Sequence, residues 1–172
     1  NIGKTNLLYS IGLVLSSDIS FSVRRNLKVD DINYEAIQEF KSQIANNISN
    51  GSIVSPEVKI DLFLSNFNED QEAVVGDWFT GQWLADISTN KAKITYIFSV
   101  REDLGKWIDE QKKTVADLTK GEDETEELFL TRKINFIDFP IEYYEYFIFG
   151  GDDPAKSIDY RMMKFLRFEL VN

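Results

Sequence analysis

The chain opens on Gly3-Lys4-Thr5, directly ahead of a run in which Leu7, Leu8, Ile11, Val14 and Leu15 recur at helical spacing. This order constrains the fold more than any other stretch. A Gly-Lys-Thr that opens a helix is the second half of a phosphate-binding loop, G-x-x-x-x-G-K-[ST], which closes a strand and starts a helix. The first glycine of that pattern falls five positions before Gly3, so the reading places a strand and the start of the loop ahead of residue 1. Glycine lets the backbone amides approach phosphate, lysine supplies a point charge, and the threonine hydroxyl is a Mg²⁺ ligand. The helix start adds unpaired N–H groups and a positive dipole end. The same tripeptide also occurs in ordinary turns, and on residues alone both readings stand.

The side-chain inventory removes much of the remaining chemistry. There is no cysteine, hence no disulfide framework or thiolate nucleophile, and no histidine, which removes Ser-His-Asp and Cys-His catalysis and most zinc sites. With 19 basic and 29 acidic residues the net charge is −10, which argues against a surface that coats a nucleic-acid duplex. The apolar runs are too short for a membrane span and no basic n-region opens the chain, so the expected setting is the cytoplasm, without a membrane partner. At 43% hydrophobic and 13% aromatic, 172 residues supply one well-buried core.

Along the chain, helical and strand periodicities alternate. The first helix is ended by Ser16, Ser17 and Asp18, and residues 18–33 read as irregular. Ile37, Phe40, Ile44 and Ile48 predict a second helix that stops at Asn50-Gly51. Val58 to Phe67 alternates as a strand after Pro56, and Lys93 to Arg101 does so again. Glu69 to Ala85 reads as a helix, as does the stretch carrying Leu104, Trp107, Ile108, Val115 and Leu118. The acidic run at 122–127 reads as a solvated loop. Two aromatic strands are then expected, Leu128 to Phe139 and Glu142 to Phe149, separated by Pro140. Gly150-Gly151-Asp152-Asp153-Pro154 is a turn signal. No repeat or linker divides the chain.

The block from Asn1 to Ile11, Asn-Ile-Gly-Lys-Thr-Asn-Leu-Leu-Tyr-Ser-Ile, resembles the phosphate loop and first helix of the RecF/SMC/OLD group of ABC-type ATPases. It is especially similar to OLD-type ATP-dependent nucleases and Gabija-type ATPases. Tyr143 to Asp153 and Phe165 to Val171 resemble a strand, Gly-Gly turn and strand of the same lobe. The resemblance implies an α/β fold: the N-terminal lobe of an ABC-type P-loop NTPase, with a mixed sheet, an antiparallel portion and flanking helices. Residues 1–172 would form one partial ATPase domain, its Walker B half lying after residue 172.

It also implies ATP and Mg²⁺ as cofactors. Asn1, Ile2, Gly3, Lys4, Thr5 and Asn6 would surround the phosphates, Lys4 as the catalytic cation and Thr5 as the metal ligand. The full-length protein would be a homodimeric ATPase that acts on DNA, in repair or antiviral defence, and gates a linked nuclease. A Walker B acid is missing. In Lys133 to Asp138, Asn135 interrupts the apolar strand, Phe139 stands where the catalytic acid belongs, and Asp138 reads as a strand-end residue.

The remaining constellations carry bland readings. Arg24 and Arg25 read as surface residues. Arg161, Lys164 and Arg167 beside Tyr160 and Phe165 are strand positions with aromatic core neighbours, and Trp78, Trp83 and Trp107 are packing residues. Two other functions compete. A GTPase or kinase is weakened by Asn90-Lys91-Ala92-Lys93, which has lysine where guanine recognition uses aspartate. A non-enzymatic acidic module would use the −10 charge to bind a basic partner.

Overall fold

The computed structural model describes residues 2–16, 25–66, 84–86, 91–151, 153–155 and 157–158. The elements among them are α1 (Ile2–Leu15), α2 (Tyr34–Ala45), β1 (Val58–Ser65), β2 (Leu84–Asp86), β3 (Lys91–Val100), α3 (Gly105–Ala116), α4 (Glu126–Phe136) and β4 (Tyr144–Gly150). No helix among the described residues is long and apolar enough to cross a membrane.

The three strands β1, β2 and β4 all pair with β3. β2 runs antiparallel to β3, with Leu84 opposite Ala92. β4 is antiparallel too: Arg101 N–H donates to the Tyr143 carbonyl and Gly151 N–H to that of Lys93, so numbering rises on one strand as it falls on the other. Ala92, Ile94, Tyr96 and Phe98 are buried along β3 as the alternation predicts. Lys93 and Thr95, on the opposite face, are buried as well, so β3 is covered on both sides. β1 keeps strict alternation between half-buried and exposed positions, as a strand covered on one face must.

Two compact units divide the chain. One comprises Asn1–Asn26, Lys59–Phe98 and Tyr146–Asn172, the other Leu27–Val58 and Ser99–Glu145. The chain passes between them four times. No single boundary exists to be marked by a linker, which is why composition along the sequence does not reveal the division.

In the second unit α2, α3 and α4 enclose a core of Phe40, Ile44, Ala45, Leu104, Ile108, Val115 and Ile137. Trp107 stacks on Phe40 with ring centroids 6.1 Å apart and planes 12° apart, and Phe139 meets the same ring edge-on at 77°. The packing role expected of Trp107 is thus what the structure contains. Asn33 caps α2 by accepting from Ala36 N–H at 3.0 Å. The helix stops at Ala45 rather than at Asn50, because Asn47 turns into the left-handed region at φ 55° and Ile48 N–H bonds back to Gln43.

Several expectations need correction. Leu128 to Phe139 is not a strand: residues 126–136 form α4. Thr125 accepts from Leu128 N–H at 3.2 Å, Glu126 and Glu127 occupy the first turn and Lys133 the last. These signals complement both helix ends and outweigh the β preference of the aromatics. Leu130, Ile134 and Ile137 then face the core at helical spacing. The loop at 122–127 is correspondingly shorter, since Glu126 and Glu127 are helical. Asp138 follows a helix and not a strand, its N–H donating to Gln111 Oε1 at 3.1 Å. A 3₁₀ turn at Ile141–Tyr143 delays β4 to Tyr144. Leu84 and Ala85, expected at the end of a helix, lie in β2. The rest of that helix lies outside the described residues, as do Trp78, Trp83, Arg24 and the stretch from Tyr160 to Val171.

Candidate functional site

α1 is helical from Ile2, so the backbone of Gly3, Lys4 and Thr5 forms its first turn. The first N–H groups of any helix have no partner within it, and the summed peptide dipoles leave that end positive. No acidic residue occupies this turn of α1, so no carboxylate of the turn competes for these groups. Asn1 and the side chains of residues 2–5, including the Lys4 ammonium and the Thr5 hydroxyl, lie outside the described structure. Asn6 is exposed, and its carbonyl accepts from Ser10 Oγ at 2.8 Å.

The two halves of α1 have different surroundings. Leu7 and Leu8 are 62% and 46% exposed, whereas every residue from Gly12 to Ser16 is buried. Of the apolar stripe expected from spacing, Val14 and Leu15 are therefore buried, Ile11 is half-buried, and Leu7 and Leu8 are not covered. A helix that is apolar around its whole circumference is covered according to depth along its axis rather than by face.

The end of α1 is closed by a residue that sequence reading placed on the surface. Arg25 is 6% exposed. Its Nε donates to the Leu13 carbonyl at 2.7 Å and its Nη2 to the Ser16 carbonyl at 2.5 Å, which satisfies two of the oxygens a helix C-terminus leaves open. Tyr96 Oη donates to the Arg25 carbonyl at 2.6 Å, tying this cap to β3. Burial pushes the guanidinium below its ordinary value, and the neighbouring Tyr146 and Tyr96 oppose that shift. α1 has no basic residue in its own last turn. Arg25 supplies the positive charge that end favours from nine or more residues downstream, a distance at which no local motif announces it.

A second polar cluster lies on β1 and β3. Thr95 Oγ1 donates to Asp61 Oδ1 at 2.7 Å, with Lys93 Nζ 3.7 Å from the same oxygen and Lys59 Nζ 3.4 Å from Oδ2. Burial raises the Asp61 pKa, but the Thr95 hydrogen bond and the two lysines outweigh it and hold the carboxyl below its usual range. Alternation marks these residues as outward-facing strand positions, so only the covering of β3 singles them out. No group of three or more acidic, histidine or cysteine side chains among the described residues is placed to hold a metal.

No family model matches this chain, and no curated protein or solved structure matches it either.

Proposed function

We propose that the chain is the ATP-binding lobe of a DNA-associated ABC-type ATPase, with the nucleotide phosphates at the N-terminus of α1. One observation carries this reading: Gly3-Lys4-Thr5 leads directly into the helical run of α1, and no acidic residue stands in that stretch. In this reading Asn1 to Asn6 surround the phosphates, Lys4 neutralises charge on them and Thr5 ligates Mg²⁺. Bound ATP would supply the driving force for closure of a homodimer in the cytoplasm, acting on DNA in repair or antiviral defence. The buried second half of α1, held by Arg25, gives the phosphate-binding end a rigid support.

The test is calorimetric titration with Mg²⁺–ATP of the chain extended upstream through the first half of the phosphate loop, with Lys4→Ala as control. Saturable binding that Lys4→Ala weakens at least tenfold supports the reading. Absence of binding, or binding indifferent to Lys4, overturns it.

A further inference from the structure

Within the second unit, beside the start of α3, lies a cavity of about 300 Å³. Its floor is apolar, formed by Ile53, Leu104 and Ile108. Its rim carries the exposed carboxylates of Glu102 and Asp103 and the side chain of Asn50, and none of the described residues that line it is a lysine or arginine.

Asp103 Oδ1 accepts from Gly105 N–H at 2.8 Å, which starts α3. Glycine at 105 permits that approach, since a Cβ there would stand 3.1 Å from Oδ1. Asp103 Oδ2 and the Glu102 carboxylate enter no ion pair among the described residues. Lys112 reaches Asn50 Oδ1 at 2.8 Å but also donates to the Ile48 carbonyl at 2.5 Å. Asn50 in turn donates to Asp109 Oδ1 at 2.8 Å, so the amide is held in place.

An apolar floor under an anionic rim selects a ligand with an aliphatic stem and a cationic tip. The volume lies at the lower end of ligand cavities, which run from roughly 300 to 1,000 Å³, and suits one side chain rather than a folded ligand. The chain's net charge of −10 attracts and orients a basic partner at long range. We propose that this cavity receives a lysine side chain of a basic protein partner, its methylenes over Ile53, Leu104 and Ile108 and its ammonium between Glu102 and Asp103. The proposal is independent of the nucleotide reading, because none of its residues belongs to α1.

The experiment titrates the full chain, with methyl labels, using the peptide acetyl-Gly-Gly-Lys-Gly-Gly-amide at low salt. The readout is the Leu104 methyl resonances and the Ile108 δ1 methyl. Saturable shifts are expected, at least tenfold weaker for the ε-acetyl-lysine peptide and for the Glu102→Gln/Asp103→Asn double variant. Asparagine retains the acceptor for Gly105 N–H, and Glu102→Gln alone, at an exposed position, is expected to weaken binding at least threefold. The proposal is overturned by equal binding of the acetylated peptide, by an unchanged double variant, or by absence of saturation. Equal binding of the arginine peptide overturns the choice of lysine, and saturation by cadaverine without the peptide overturns the choice of a protein partner.

Discussion

The Arg25 guanidinium donates to the Leu13 carbonyl from within the protein, with Nε 2.7 Å from the oxygen, and so closes a helix to which it does not belong. The same group reaches Ser16, which leaves α1 anchored at its C-terminal end while its N-terminal residues Leu7 and Leu8 stay exposed. A cap supplied from outside the helix ties the position of α1 to the sheet through Tyr96, and not only to its own hydrogen-bond ladder.

Replacing Arg25 with leucine leaves two buried carbonyls without their charged donor. Hydrogen bonds to charged groups are each worth about 1.5–3 kcal/mol, so Arg25→Leu is expected to destabilise by at least that amount. Urea denaturation with an unchanged m-value checks it. A change within experimental error would mean that the cap is not formed.

Phe40 is fully buried at the centre of the second unit, between Trp107 and Phe139. Truncation of a buried phenylalanine to alanine costs about 3–5 kcal/mol, from lost transfer energy and the cavity left behind. Phe40→Ala should lower the denaturation midpoint accordingly. Phe40→Leu, which keeps most of the volume, should cost less than half as much.

Thr125 separates the helical from the strand reading of residues 126–136. If α4 is capped as described, Thr125→Ala costs about 1 kcal/mol and Thr125→Asp about nothing, since aspartate caps equally well. A strand would favour neither pattern, and hydrogen exchange of the Leu128 and Phe129 amides reports the difference directly.

Glu124 accepts from Arg132 Nε at 2.9 Å and Nη2 at 2.7 Å, and from Gly121 N–H at 3.0 Å. The Arg132 hydrogen bonds above all, then that of Gly121, hold its carboxyl at about 2, well below the ordinary 4.5. A folded-state pKa below the unfolded one means that the carboxylate form is favoured by folding. Its contribution is complete above pH 4.5 and is lost as pH falls toward 2. The stability difference between the native chain and Glu124→Gln should therefore be flat near neutrality and shrink with acid below pH 4.5. A difference that grew on acidification would contradict the pairing.

Thr95→Val removes the hydroxyl that donates to Asp61 while preserving shape. The neutral hydrogen-bond contribution is about 1 kcal/mol, and somewhat more is expected here because the acceptor is a carboxylate. The Asp61 carboxyl should titrate at higher pH in this variant, measured by carboxyl carbon shifts. An unmoved titration would show that the two lysines, and not Thr95, set its charge.

Local periodicity by itself determined much of the secondary structure. The 3.6-residue spacing of Ile37, Phe40 and Ile44 and of Leu104, Ile108 and Val115 matches α2 and α3, and the alternations at Val58 and Ile94 match β1 and β3, because the apolar side chains of each element line one face and their period records that face. Where a segment satisfied two periods, as Leu128 to Phe139 does, the choice passed to capping and to packing on α2 and α3. Tertiary structure alone decided that Arg25 is buried, that Leu7 and Leu8 are exposed, that β3 is covered on both faces and that the chain forms two units. Each of these depends on which distant segment covers a residue. A side chain's own type and spacing state what it prefers to meet, and only the completed fold states what it meets.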